Sequence, residues 1–185
     1  MKKSKLILAI LTLVSLLIVI TSAFAADDLS VINAIGHNDK TIDPGNSVTG
    51  TFDIKNNNAS ISLTNIIFTL SLTAPGNKNI SGNLITFTPS TISILTAGQT
   101  QTVSFNIKTD QFQAPESYSG NLLINYTKGL TKLSLPNALQ FSLVVNSKPE
   151  LTINPTIITV NSKLDTTTTK TFTVQNTGNV ALTSL

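Results

Sequence analysis

The chain has 185 residues, a formal charge of +3, only 11% Asp, Glu, Lys and Arg, and neither Cys nor Trp. That length admits one ordinary domain and part of a second, and excludes an elaborate multidomain enzyme. All twelve cations are Lys, and Lys2, Lys3 and Lys5 are the whole excess over the nine acids, so from residue 6 onward the charges balance and a basic nucleic-acid groove is excluded.

Those three lysines precede an apolar run from Leu6 to Ile20, and Ala23-Phe24-Ala25 follows as an A-x-A site. This is the layout of a secretory signal peptide over residues 1–25, with cleavage near Ala25 or Ala26. The stretch from Leu6 to Ala26 could also span a bilayer if left uncleaved. The expected location is therefore secreted or cell surface, with membrane contact only through an uncleaved leader. An exported chain without Cys has no disulfides, and its core alone must hold it.

From Asp27 onward apolar residues recur at a spacing of two, which predicts an all-β domain. Alternating runs are Val48-Gly50-Phe52-Ile54, Ile66-Phe68-Leu70-Leu72, Val103-Phe105-Ile107, Leu122-Ile124-Tyr126 and Leu139-Phe141-Leu143-Val145. Leu29 to Ile35 and Ile92 to Leu95 complete about seven strands. Turn signals separate them: Asp43-Pro44-Gly45-Asn46, Asn56-Asn57-Asn58, Ala74-Pro75-Gly76-Asn77, Ala97-Gly98 and Lys128-Gly129. The spacing predicts an immunoglobulin-like β-sandwich over residues 27–146, with a closed barrel as the alternative. Residues 147–150 read as a linker.

Beyond it, Thr171-Phe172-Thr173-Val174-Gln175-Asn176 repeats Thr51-Phe52-Asp53-Ile54-Lys55-Asn56, and Leu182 falls near the place of Leu63. Residues 151–185 are thus expected to be an incomplete second copy of about three strands, with edges open to strand pairing with another chain.

Two passages carry a family pattern. Phe87-Thr88-Pro89-Ser90-Thr91-Ile92-Ser93-Ile94-Leu95, the Ala97-Gly98 turn and Val103-Ser104-Phe105 form one; Glu116-Ser117-Tyr118-Ser119-Gly120-Asn121-Leu122 forms the other. Together with Phe172-Thr173-Val174-Gln175-Asn176-Thr177-Gly178, they resemble the CARDB-like and alpha-galactosidase-associated Ig-like domains of bacterial and archaeal S-layer-like surface proteins. Glu116 departs from the usual Gly. The resemblance implies an extracellular, repeated, noncatalytic module that spaces, adheres or accompanies another domain, and it supplies no catalytic residue.

The residues offer little chemistry. His37 is the only His and reads as a solvated loop residue between Gly36 and Asn38. With no Cys, zinc and thiol chemistry are excluded, and no other cofactor is expected. Asp39 and Asp43, with Asn38 and Asn46, could gather oxygens for Ca²⁺, but the spacing matches no EF-hand, and Asp43 more simply opens the Pro44-Gly45 turn. No paired carboxylates suit a glycosidase. Tyr118 and Tyr126 read as core residues. Asn58, Asn79 and Asn125 head N-x-S/T sequons and are the candidate N-glycosylation positions. Thr166 to Thr169 reads as a short edge strand or polar turn.

The expected function is a noncatalytic structural or adhesion module whose partners are other surface proteins or cell-envelope glycans. The alternative is a carbohydrate-binding accessory module of a longer secreted hydrolase, and a secreted enzyme of unrecognised type is a third reading.

Overall fold

The computed structural model describes residues 28–161 and 163–183; the leader assigned to residues 1–25 lies outside them. The described chain is all-β. In order its strands are β1 (Leu29–Ile35), β2 (Lys40–Ile42), β3 (Ser47–Asn56), β4 (Leu63–Leu70), β5 (Leu72–Ala74), β6 (Lys78–Ile80) and β7 (Ile85–Thr88). Then come β8 (Thr91–Leu95), β9 (Thr100–Lys108), β10 (Ser117–Lys128), β11 (Thr131–Leu135), β12 (Gln140–Val145), β13 (Leu151–Asn154) and β14 (Thr173–Asn176).

Two sheets face each other. One has the order β1-β3-β9-β7 and the other β2-β12-β10-β4-β8, with β11, β5 and β6 attached around β10. The first corresponds to strands A, B, E and D of an immunoglobulin domain, and β12, β10 and β4 correspond to G, F and C. The domain is therefore an Ig-like sandwich. The two sheets stay separate, so the barrel alternative falls.

The core follows from the alternation. Phe52 of β3 meets Phe68 of β4 edge-on across the sandwich at 5.7 Å between centroids, and Phe87 packs on both at 6.3 and 5.5 Å. Phe105 of β9 meets Phe141 of β12 at 5.0 Å, again edge-on. Leu122, Ile124, Val103 and Ile54 are sealed between these clusters. Phe52, Phe68, Phe105, Leu122 and Phe141, one from each of the alternating runs, are all buried.

Two glycines permit the close approaches. Gly50 pairs with Phe105 across β3 and β9, and a Cβ there would lie 2.4 Å from the Phe105 ring and 2.1 Å from the Ile35 carbonyl oxygen. The inward position read for Gly50 is thus filled by its neighbour's ring. A Cβ on Gly120 would lie 1.9 Å from the Ser71 carbonyl oxygen. Ser71 is also where the long run from Ile66 to Leu72 breaks into β4 and β5.

The strand count exceeds the expected seven because β2, β5, β6, β7 and β11 are three to five residues long. Such runs are too short to show a period. Leu139 lies just before β12, and its carbonyl accepts from Leu122 N at 2.8 Å. Among the described residues of the tail, β13 and β14 form a separate antiparallel ribbon. Thr166 to Thr169 is not a strand; Thr166 Oγ1 instead donates to the Lys163 carbonyl at 2.8 Å, which makes a turn.

Phe52→Ala or Phe105→Ala should each destabilise the sandwich by about 3–5 kcal/mol, since each empties a ring-sized space between sheets that cannot collapse. Phe112→Ala, at an exposed ring, should stay within about 0.5 kcal/mol of the parent. Urea midpoints at unchanged slope measure both.

Candidate functional site

β3 ends on Asn56, whose side chain is completely buried. Its Nδ2 donates to the carbonyls of Ile61 at 2.9 Å, Leu95 at 2.9 Å and Thr96 at 3.1 Å, and its Oδ1 accepts from Asn58 N at 3.0 Å. The backbone N–H of Asn56 donates to Gln99 O at 2.9 Å. One amide thus ties the end of β3, the loop behind it and the end of β8 on the opposite sheet. Sequence reasoning placed Asn56 in a surface turn; the one available signal against that was its recurrence as Asn176.

Tyr118, at the start of β10, is buried as expected but also does polar work. Its hydroxyl donates to Ala114 O at 3.1 Å and accepts from Gln113 Nε2 at 2.7 Å. This is the tyrosine corner of immunoglobulin-like domains, with the bond running back to the backbone four residues upstream. Tyr126 is buried on β10, as read.

Among the described residues, Asp28, Asp39, Asp43, Asp53 and Glu116 each bond partners of their own. Asp28 Oδ1 accepts from Lys128 Nζ at 2.7 Å and from Asn58 Nδ2 at 2.8 Å. The Lys128 hydrogen bond is the main cause holding the Asp28 carboxyl below its usual range, with Asn58 adding to it against partial desolvation. Asp53 is lowered too, by hydrogen bonds from Thr102 Oγ1 at 2.6 Å and Asn33 Nδ2 at 2.8 Å.

Asp39 and Asp43 do not converge. Asp39 bonds Ser142, while Asp43 accepts from Asn146 Nδ2 at 2.7 Å and its carbonyl closes the turn with Asn46 N at 3.2 Å. Glu116 pairs with Lys78. No group of three His, Asp or Glu side chains able to hold a metal occurs among the described residues.

His37 differs from the solvated residue expected. It is half-buried, its ring stands edge-on to Phe141 at 6.0 Å, and its Nδ1 is buried without a protein partner. The reason is β2, the short parallel strand on β12, which folds the preceding loop over Phe141.

The sequons are unequal. Asn58 is half-buried and its Nδ2, the atom a glycan would take, is held by Asp28. Asn125 is half-buried with its Oδ1 bonded to Ser134 at 2.8 Å. Asn79 is exposed on β6, and its backbone carbonyl accepts from Gln113 Nε2 at 3.0 Å. Asn125 also lines a shallow cleft of about 450 Å³ over β4, β10 and β11, with Asn65, Ile67, Lys132 and Ser134.

The segment read as a linker, 147–150, is stitched to its surroundings. Thr177 N and Gly178 N donate to Glu150 O at 2.9 and 3.2 Å, and Asn179 N donates to Lys148 O at 3.1 Å. The Asn179 side chain accepts from Lys148 N at 2.7 Å and donates to Gln113 O at 2.9 Å and Asn146 O at 2.8 Å. A Cβ on Gly178 would lie 2.1 Å from the Lys148 carbonyl oxygen, so this crossing requires glycine.

No protein-family model and no curated protein matches the sequence. Among solved structures, the chain is similar to the CooA pilin subunit of enterotoxigenic Escherichia coli at 11% identity, over 65% of this chain and 98% of that one, with a TM-score of 0.39. It is similar to the seventh PapD-like domain of human CEP192 at 12% identity, over 64% and 84% of the two chains, with a TM-score of 0.40. A family 123 glycoside hydrolase from Clostridium perfringens aligns at 16% identity and a TM-score of 0.43, over 63% of this chain and 26% of the hydrolase. The chain thus spans about a quarter of that enzyme's length. At these identities the likeness concerns the fold alone.

Asn56→Ala should cost at least about 2 kcal/mol, because it removes a satisfied buried amide and leaves carbonyls of β8 and the following loop unpaired. Thermal or urea unfolding of the variant measures it. For Asp28, a lowered carboxyl contributes stability that is fully present above the unfolded value of about 3.9 and is lost as pH falls through the folded value. Unfolding midpoints at pH 7 and pH 3 should therefore differ less in Asp28→Asn than in the parent.

Proposed function

We propose that this chain is a noncatalytic Ig-like structural module displayed outside the cell, holding its place through contacts with other surface proteins or envelope glycans. The observation that carries the reading is where its polar groups go. The buried side chains of Asn56, Thr109 and Tyr118 bond groups of their own sandwich, Thr109 Oγ1 reaching the Asp43 and Asn46 carbonyls at 3.2 Å. The acids sit apart on separate local partners. Such an arrangement serves rigidity, and among the described residues it brings together no general acid with a base or nucleophile with its base. Export rests on the leader sequence of residues 1–25, and repetition on the match of residues 171–176 to 51–56.

The alternative, a carbohydrate-binding accessory module, has one feature in its favour: the cleft beside Asn65, Asn125 and Lys132, which offers polar groups on a rigid sheet face. The aromatic residue that lines it, Tyr126, is buried, so the cleft presents little ring face for a sugar to stack on.

Expression of the full chain in an exporting, glycosylating host tests the reading. Mass spectrometry of the medium and envelope fractions should find a new N-terminus near Ala26 or Asp27, and glycan on Asn79 in preference to Asn58. Retention of the chain in the cytosol would sink the display reading. Saturable binding of a soluble polysaccharide, abolished by Asn65→Ala with Asn125→Ala, would transfer the assignment to the accessory-module alternative.

A further inference from the structure

β4 carries one residue more than β10 can pair. Asn125 stands opposite Ile67 and Thr127 opposite Thr64, so Asn65 and Ile66 together face the single Tyr126. Leu63 and Ile66 are both buried, which turns Thr64 and Asn65 outward in succession. This is a β-bulge, and Asn65 takes it up at a φ of 51°, a left-handed conformation that Asn accepts more readily than most residues. Bulges re-aim side chains, and the residue re-aimed here lines the cleft over β4, β10 and β11.

The cleft holds polar groups that the sandwich leaves free. Asn125 Oδ1 is taken by Ser134 at 2.8 Å, and its Nδ2 donors have no acceptor among the described residues. The side chain of Asn65 has no hydrogen-bond partner among them either, and Lys132 is exposed without an ion pair. No Asp or Glu lines the cleft, while Ile67 stands 45% exposed in it. An uncompensated cation, amide donors and an aliphatic side chain thus share one concavity. Its opening is independent of the tail. The chain leaves the sandwich from β12 beside Ser117, and Asn125 to Thr127 lie eight to ten residues further along β10, about 30 Å away at about 3.4 Å per residue. Asn179 fastens the ribbon at that far end, through Gln113 and Asn146.

We propose that this cleft is a docking site for an acidic segment of another surface protein, whose carboxylate meets Lys132 and the amides of Asn65 and Asn125 while a neighbouring aliphatic side chain lies on Ile67. The assignment rests on the reading of the chain as a module that contacts other surface proteins. An acidic sugar offers the same carboxylate but no aliphatic side chain for Ile67, and the buried Tyr126 gives it little ring face.

The probe is a labelled peptide, Glu-Glu-Leu-Glu-Glu, titrated into the purified full chain, with Gln-Gln-Leu-Gln-Gln as its neutral counterpart. Saturable binding of the acidic peptide below about 1 mM is expected, with amide shifts confined to Asn65, Asn125 and their neighbours. Lys132→Gln should weaken it about tenfold and Lys132→Arg should retain it. Asn65→Gly, which keeps the left-handed turn and deletes the amide, should weaken it as well. Unfolding midpoints of the two Lys132 variants should match the parent, since the residue is exposed, which separates recognition from folding. No saturable binding up to about 1 mM, equal binding of the neutral peptide, or indifference to Lys132→Gln overturns the proposal. So does a uronic-acid oligosaccharide that binds the cleft and that the peptide cannot displace, which would assign the site to a glycan. Each of these results leaves the export of the chain untouched, so the docking assignment can fail while the display reading stands.

Discussion

The sandwich depends on one buried amide. An uncompensated carboxamide in an apolar core costs several kcal/mol, so Asn56 is tolerable only where every polar atom finds a partner. That condition fixes the geometry of three segments at once: the end of β3, the loop through Ile61 and the end of β8. Many secreted immunoglobulin-like domains lock their two sheets with a disulfide between strands B and F. This chain has no Cys, and a hydrogen-bonded crosslink takes up that constraint without needing an oxidising environment.

The rest of the core is arranged around the amide. With the end of β3 fixed, Phe52 is directed at Phe68 and Phe87, and the β3–β9 register places Phe105 over Gly50 and against Phe141. Tyr118 performs a related service at the start of β10, where its hydroxyl and Gln113 fix the crossing from the first sheet to the second. The aromatic rings thus form the contacts at the centre of a core that is otherwise Leu, Ile and Val, and the polar groups among them act as pins that set the register.

The sequence showed the long strands because their burial is one-sided and therefore periodic. Runs such as Val103-Phe105-Ile107 contain enough turns of the period to be counted, and the inward set they predicted is buried. Strands such as β2 and β6 contain one buried residue each, which no periodicity can reveal. Asn56 was hidden for a different reason. Asn is common in turns, and its burial here is decided by carbonyls 39 and 40 residues away in the chain. His37 was misplaced likewise, since its neighbour Phe141 lies far along the sequence. Local composition predicts exposure only where long-range packing does not intervene.

The two copies of the corner separate what is local from what is tertiary. Asn56 and Asn176 make the same short-range bonds to the second residue beyond them and to the loop that follows. These bonds are local, joining residues two to five apart in the chain. The bonds to Leu95 and Thr96, by contrast, exist only in the covered copy. A two-stranded ribbon is marginal in water by itself. Here the bonds from Asn179 to Gln113 and Asn146 seat the ribbon on the end of the sandwich. The junction holds the ribbon's backbone in place while Phe172 and Val174 stay about half exposed, so anchoring a strand and burying its apolar face are separate tasks.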